Sequence, residues 1–239
     1  MNLRDWFEPS FSSRAKEIGL EWAATEYTFA ELDARSNRMA RALAARGLVK
    51  GDRLCVYLAN SIEMLDLYLA CVKSGLIFVP INILYRDREM THILSDADPK
   101  LLVTAAEVPA LLAEAASQSG DRLPDYGLGA DDPAALVYTS GTTGVSKGAI
   151  LTHNNFAING RNLVEAWGIT AADRLLLAPP LFHVHALGER LADDLQGRAD
   201  LGVIAGGPSC VLLVFDRGKV RSKRRCGRCG HRDTPPFGS

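Results

Sequence analysis

Short apolar runs alternate with helix-like segments along most of this chain. The runs are rich in Val, Leu and Ile, and proline closes two of them, which is typical of buried strands. Strands that alternate with helices predict an α/β fold, with a mostly parallel sheet and helices on both faces. The strands are predicted at 54–58, 76–79, 100–104, 134–139 and 174–178, and the helices at 28–47, 61–73, 86–95, 107–117 and 152–167.

The predicted helices carry recognisable end signals. Thr28 and Glu31 form the Thr-x-x-Glu pattern of a capping box, in which each side chain bonds the other residue's backbone N–H. Gly47 ends that helix, and Gly75 ends the helix at 61–73. These signals place two helices before the loop of glycines and hydroxyl residues that is described below.

The composition excludes some classes of function. The chain has 239 residues, of which 47% are hydrophobic, and its formal net charge is −1. A core can therefore form, and bulk charge favours neither nucleic acid nor a membrane surface. The first eight residues include three charged ones and no apolar stretch, so no signal peptide is predicted. The longest nearly uncharged run, 201–215, is too short to span a bilayer comfortably, so we expect a cytoplasmic protein.

Four of the five cysteines fall into two groups, and Cys210 is distant from both. Cys55 and Cys71 lie in apolar runs and are predicted to be buried free thiols. Cys226 and Cys229 form one Cys-x-x-Cys near His231, but no second pair completes four zinc ligands. We therefore predict no metal site.

One loop carries the functional signal. Residues 136–148 read Leu-Val-Tyr-Thr-Ser-Gly-Thr-Thr-Gly-Val-Ser-Lys-Gly, a strand that breaks into small hydroxyl residues, glycines and one lysine. Glycines let the backbone N–H groups approach anionic oxygens, while hydroxyls and Lys147 add donors and charge. A helix beginning near Thr152 would add to the positive potential. The loop is not a Walker A sequence, because Ser146 precedes the lysine and Gly148 follows it.

This segment resembles the phosphate-binding signature of the adenylate-forming enzymes, which include acyl-CoA synthetases, luciferases and peptide-synthetase adenylation domains. Their pattern is Tyr-Thr-Ser-Gly-Thr-Thr-Gly, then any residue, then usually proline, then Lys-Gly; this chain has Val145 at the variable position and Ser146 in place of the usual proline. Further similar segments are Gly-Asp-Arg at 51–53, 68–75, Thr-His-Asn-Asn at 152–155 and Pro-Leu-Phe-His-Val-His at 180–185. The resemblance covers roughly 20–188 and leans toward malonyl-CoA and fatty-acyl-CoA ligases.

The resemblance implies a reaction and a set of site residues. Family members activate a carboxylic acid with ATP and Mg²⁺ to an acyl-adenylate, and acyl-CoA synthetases pass the acyl group to coenzyme A. By resemblance, the loop holds the β- and γ-phosphates. Donors come from Thr139, Ser140, Thr142 and Thr143, close approach is permitted at Gly141 and Gly144, and Lys147 offsets charge.

Three other residues near these motifs have alternative interpretations. His183 resembles the family histidine beside the acyl pocket, where it would position the carboxylate or gate the pocket; a purely structural role in an apolar turn is the alternative. His153 is expected to brace the following helix rather than to contact ligand. Tyr138 is expected in the core, where it would pin the strand beneath the loop.

The resemblance stops well before the family pattern is complete. The adenine-stacking segment with its magnesium-binding Glu, the ribose-binding Asp and the C-terminal domain with its lysine have no match in this chain. We therefore expect 1–188 to be a partial N-terminal domain, 189–239 to be divergent, and 216–239 to be a disordered basic tail. The hypothesis is a chain truncated or frameshifted after about residue 188, and catalytically incompetent alone.

Two other interpretations stay open. The chain could be a non-catalytic nucleotide-binding or interaction protein whose basic tail docks a partner. It could also be one half of a split enzyme.

Overall fold

The computed structural model describes residues 1–139, 146–170, 173–176, 179–183, 186–187, 199–203, 214–216 and 219–221. The helices are α1 (Leu3–Ser13), α2 (Phe29–Ala45), α3 (Ile62–Ser74), α4 (Asp87–Ala97), α5 (Val108–Ala116) and α6 (His153–Trp167). The first strands are β1 (Ile18–Trp22), β2 (Thr25–Thr28), β3 (Arg53–Tyr57), β4 (Ile77–Pro80), β5 (Leu101–Thr104), β6 (Pro133–Thr139) and β7 (Lys147–Thr152). The later strands are β8 (Asp173–Leu176), β9 (Ala199–Val203), β10 (Val214–Asp216) and β11 (Lys219–Arg221).

A five-stranded sheet in the order β5-β3-β4-β6-β7 confirms the predicted α/β fold. The first four of these strands run parallel, and β7 pairs antiparallel with β6 at the edge. Every strand and helix predicted between 28 and 178 is present, and its described ends lie within two residues of the predicted ones. The sequence prediction did not include β7, which lies between the loop of glycines and hydroxyl residues and α6.

Alternate side chains of the parallel strands enter two separate cores, as period-two geometry requires. Leu54 and Val137 join the larger cluster, which also contains side chains of α1, α2, α3, α5 and α6. Cys55, Val79 and Tyr138 join a smaller cluster with side chains of α4. Helices therefore cover both faces of the sheet, as predicted.

Local end signals act as the sequence indicates. Thr28 caps α2 in a reciprocal capping box with Glu31, whose carboxylate accepts from the Thr28 backbone N–H at 2.7 Å. Gly75 ends α3 with a φ of 76°, a left-handed conformation that glycine adopts without steric cost. Cys55 and Cys71 are buried free thiols, as predicted, and burial raises the pKa of Cys55 to about 12.

A second, mixed sheet has the order β11-β10-β8-β9-β1-β2. The sequence prediction contained neither β1 nor β2. Strand β1 pairs parallel with β9, and β8 pairs with both β9 and β10. Strands from 1–188 and from 189–239 thus share this sheet. Residues Lys219–Arg221 form β11 inside the segment for which we expected disorder, and residues 222–239 lie outside the described residues.

No described helix is long and apolar enough to cross a membrane.

Candidate functional site

The segment from Thr139 to Lys147, called the phosphate-like segment because it resembles a phosphate-binding loop, has both ends at the carboxyl edge of the parallel sheet. Thr139 is the last residue of β6, Lys147 is the first residue of β7, and the two pair directly across the antiparallel ladder. Ligands of parallel α/β sheets bind at this edge, beyond the carboxyl ends of the strands. The predicted site residues Ser140, Gly141, Thr142, Thr143 and Gly144 lie outside the described residues.

The amino end of α6 is not at this edge, contrary to the sequence-based expectation. Strand β7 runs back along β6, so that Thr152 pairs with Pro133 at the opposite end of the hairpin. Six residues of strand place the helix start roughly 17 Å from Lys147. The first N–H groups of α6 instead donate to the carbonyls of Asp132 and Ala130, at 3.0 and 2.9 Å. The α6 dipole therefore does not add to the positive potential at the phosphate-like segment.

Lys147 presents a positive charge to solvent. Its side chain is exposed, and in the part of the chain that the structure describes it forms no ion pair. Gly148 beside it packs against the cross-strand residue Tyr138. A Cβ atom at Gly148 would approach Leu136 Cδ1 to 2.9 Å and Tyr138 Cζ to 3.2 Å. The glycine therefore lets β7 lie close to the tyrosine ring, immediately beside the lysine.

Tyr138 lies in the core, as predicted, and connects the end of β6 to α4. It is 8% exposed, and its hydroxyl donates to Asp96 Oδ2 at 2.6 Å. Burial and the adjacent carboxylate raise the pKa of Tyr138 above its usual value, so the hydroxyl stays protonated and can donate. One helical turn before Asp96, His92 Nε2 lies 2.8 Å from the Ser146 carbonyl oxygen.

The segment that carries His183 is attached to the same edge of the sheet by Asn60. The Asn60 side chain accepts from the Leu181 backbone N–H at 2.6 Å and donates to the Pro179 carbonyl at 3.4 Å. Strand register places Leu54, Phe78 and Ala135 side by side, so Thr139 lies at about the level of Leu58, two residues before Asn60.

Buried apolar neighbours orient His183 outward. Leu181 and Phe182 are buried in the larger core, whereas the His183 side chain is exposed, with its ring centroid 4.6 Å from that of Phe182. The His183 backbone N–H donates to the Pro180 carbonyl and its own carbonyl accepts from Ala186. The turn therefore presents an imidazole at the surface rather than in the core.

His153 braces the fold instead of facing a ligand, as predicted. It is completely buried, and its Nδ1 accepts from the Leu3 backbone N–H at 3.3 Å, which ties α1 to α6. Burial lowers the pKa of His153 to about 4, against the smaller raising effect of Asp132. Its Nε2 has no hydrogen-bond partner among the described residues.

Sequence reasoning missed Asn60, His92 and Asp96. The positions of His92 and Asp96, four residues apart around the buried Ile93, place them on one face of α4. That spacing was the available signal, but it could not show which strand the face contacts. Asn60 directly precedes Ser61, the N-cap of α3, and nothing in its local pattern points to residue 181.

A family model described as "AMP-binding enzyme" matches residues 10–192. The chain belongs to the AMP-binding enzyme family. This membership and the α/β fold confirm the resemblance found in the sequence.

Curated relatives include several CoA ligases. Feruloyl-CoA synthase from an Amycolatopsis species is 34% identical over 210 residues, which is 83% of this chain and 41% of that protein. Malonate–CoA ligase of Arabidopsis thaliana is 33% identical over 177 residues, 64% of this chain and 29% of the relative. The chain thus spans less than half the length of these relatives.

Solved structures with the same fold include MatB from Rhodopseudomonas palustris. The apo form is 35% identical with a TM-score of 0.77, and the match covers 85% of this chain and 45% of the MatB chain. The ATP-bound form is 34% identical with a TM-score of 0.75, and the match covers 86% of this chain and 45% of the MatB chain. The family fold therefore extends over most of this chain.

Proposed function

We propose that this chain carries the phosphate-binding part of an ATP-dependent enzyme that activates carboxylic acids. The observation that carries the proposal is the pairing of Thr139 with Lys147 at the carboxyl edge of the sheet, in a chain of the AMP-binding family. Lys147 is exposed there without a described acidic partner, which suits an anionic ligand.

Negative charge develops on the leaving pyrophosphate during the reaction, and the segment would stabilise that charge. A carboxylate oxygen of the acid attacks the α-phosphorus of ATP, the bond to the β-phosphate oxygen breaks, and pyrophosphate leaves. The segment from Thr139 to Lys147, with Ser140, Gly141, Thr142, Thr143 and Gly144, would hold the β- and γ-phosphates through N–H and hydroxyl donors. Donors placed where charge develops lower the barrier without reorganisation at the moment of reaction.

The second step would be thioester formation. The thiolate of coenzyme A attacks the acyl carbon of the adenylate, and AMP leaves. We propose that His183 borders the acyl side of this site, because Asn60 holds its turn at the edge of the sheet where Thr139 lies. The relatives act on several acids according to their names, and malonate or a fatty acid is our proposed substrate class.

Magnesium would enter with the nucleotide. Among the described residues, no group of three or more His, Cys, Asp or Glu side chains is placed to hold a metal ion. Mg²⁺ usually binds through substrate phosphates and one or two carboxylates rather than in a protein cage. We assign no residue of this chain to the ion.

A nucleotide series tests the proposal on the full 239-residue chain. Calorimetric titration with MgATP, MgADP and AMP should show affinity falling in that order, with AMP roughly tenfold or more weaker than MgATP, because the segment would contact the β- and γ-phosphates. Equal affinity for AMP and MgATP would contradict a β/γ-phosphate site.

Acid activation is tested separately by pyrophosphate exchange with malonate and with medium-chain fatty acids. The sequence-based expectation that this chain alone forms no acyl-adenylate remains a prediction. Acid-dependent exchange by the chain would contradict that expectation and support the ligase activity directly. The interaction-protein alternative also remains a prediction, tested by partner binding before and after deletion of 216–239.

A further inference from the structure

Helix α4 contacts both ends of the phosphate-like segment. His92 Nε2 lies 2.8 Å from the carbonyl oxygen of Ser146, the residue before β7 begins. Asp96 accepts a hydrogen bond of 2.6 Å from the hydroxyl of Tyr138, which is the last residue but one of β6. The two α4 side chains are four residues apart and so project from the same face of the helix. One helix face therefore reaches β6 on one side of the segment and Ser146, directly before β7, on the other.

The contact with His92 has a defined direction. A carbonyl oxygen can only accept a hydrogen bond, so His92 Nε2 is the donor and carries the proton. The His92 ring also packs edge-on against the Tyr138 ring, with centroids 6.2 Å apart and an interplanar angle of 84°. The same imidazole thus contacts Tyr138 of β6 and the residue that directly precedes β7.

Strand β7 receives little other support near the segment. Its first four residues, 147–150, are exposed, and Ile150 leaves 65% of its surface accessible. It is an edge strand, paired with β6 on one side in the described five-stranded sheet. The bond from His92 to Ser146 therefore connects the packed body of the protein to the exposed first four residues of β7.

We propose that His92 and Asp96 are positioning residues of the nucleotide site, which clamp the two ends of the segment from Thr139 to Lys147 onto α4. This inference rests on the proposed function for its consequence, nucleotide affinity. The clamp restricts where Thr139 and Lys147 can lie before ligand arrives. Ordering these groups in advance removes an entropic cost that binding would otherwise include.

The first experiment measures MgATP affinity by calorimetry on the 239-residue chain. Replacing His92 by Ala removes the donor to Ser146, and we expect Kd for MgATP to rise roughly three- to tenfold, the range expected from one lost hydrogen bond. His92→Gln keeps an N–H donor on a side chain of similar reach and should restore Kd to within about twofold of the original. Tyr138→Phe removes only the hydroxyl and should raise Kd in the same direction. Thr91→Ala, at an exposed position of α4, is the control for a substitution on this helix.

The second experiment needs no nucleotide. Hydrogen exchange of the peptide that covers 146–150 should be several-fold faster in His92→Ala than in the unchanged protein, and close to normal in His92→Gln. A general loss of stability would speed exchange throughout the chain and would not be reversed by glutamine. Melting temperatures of all variants are recorded alongside.

The outcomes separate this inference from the proposed function. If Lys147→Ala weakens MgATP binding while His92→Ala and Tyr138→Phe leave Kd unchanged, the positioning role is wrong and the proposed function stands. If Lys147→Ala has no effect on MgATP binding, the proposed function fails and the role in nucleotide affinity fails with it. Unchanged exchange of 146–150 in His92→Ala overturns the clamp itself, whatever the nucleotide data show.

Discussion

Acidification should destabilise the fold through His153. The imidazole is completely buried between α1 and α6, and burial lowers its pKa to about 4 from an ordinary value of 6.5. The unfolded chain therefore binds a proton at this residue as pH falls below 6.5, whereas the folded chain binds it only as pH approaches 4. The stability that neutral His153 provides is complete above pH 6.5 and is lost between pH 6.5 and 4.

The size of the effect follows from the interval between the two pKa values. At pH 5.0 the medium is about 1.5 units below the ordinary histidine pKa, and each unit corresponds to about 1.4 kcal/mol. His153 should therefore lower the free energy of unfolding by about 2 kcal/mol between pH 7.5 and 5.0. Asp66 acts in the opposite direction between pH 6 and 4, because burial raises its pKa to about 6 despite the lowering effect of Arg35. The total pH dependence is thus not diagnostic, and a variant is needed.

Urea unfolding at several pH values, with and without His153→Gln, isolates the contribution. Glutamine can still accept from the Leu3 N–H but has no proton to gain in this range. Fluorescence of buried Trp6, which lies on α1, reports the transition. The stability lost between pH 7.5 and 5.0 should be about 2 kcal/mol smaller in the variant, and the same substitution at half-buried His92 is the control. Identical losses with and without His153 would refute a buried neutral imidazole at this position.

Two further predictions concern stability, measured by urea unfolding at pH 7.5. Gly75→Ala should lose roughly 1–2 kcal/mol more than Gly168→Ala, because both glycines end helices with positive φ, but among the described residues only a Cβ at Gly75 would meet another side chain, Leu128 Cδ2 at 2.6 Å; equal losses would contradict the steric explanation. Arg35→Leu should cost about 3 kcal/mol or more, because it leaves buried Asp66 without the guanidinium 2.5 Å away, and adding Asp66→Leu should recover most of that loss. A double variant no more stable than the single one would contradict the unpaired-charge argument.

Local signals made the parallel half of the fold predictable. The capping box at Thr28 and the left-handed glycine at Gly75 act between residues close in sequence, so they can be read without tertiary information. The apolar runs of β3 to β6 are buried on both faces, which makes them continuous in the sequence and easy to recognise. The phosphate-like motif was recognisable for the same reason, since its residues are contiguous.

The missed elements depend on partners far away in the chain. Strand β1 pairs with β9 across about 180 residues, and nothing local to β1 indicates that partner. Strand β7 has an exposed beginning, so it lacks the apolar alternation that identifies a strand. Its omission also led to the wrong expectation that α6 begins beside the loop, because an extra antiparallel strand carries the chain to the opposite end of β6.

The support of the candidate site was invisible for similar reasons. Asn60 bonds residues 179 and 181, and His92 bonds residue 146. Each is one polar residue in an ordinary helical or loop context, so only the tertiary structure shows its partner. The cytoplasmic location and the substrate remain predictions from the sequence.

The most direct test of the account is the affinity of Lys147→Ala for MgATP. Loss of one charged donor to a phosphate should raise Kd roughly tenfold to a hundredfold. Lys100→Ala is the matched control, because Lys100 is also exposed but directly precedes β5, at the opposite edge of the sheet. We predict that Lys147→Ala weakens MgATP binding by at least tenfold while Lys100→Ala leaves it unchanged. An unchanged Kd in folded Lys147→Ala would contradict the assignment of this segment as the phosphate site.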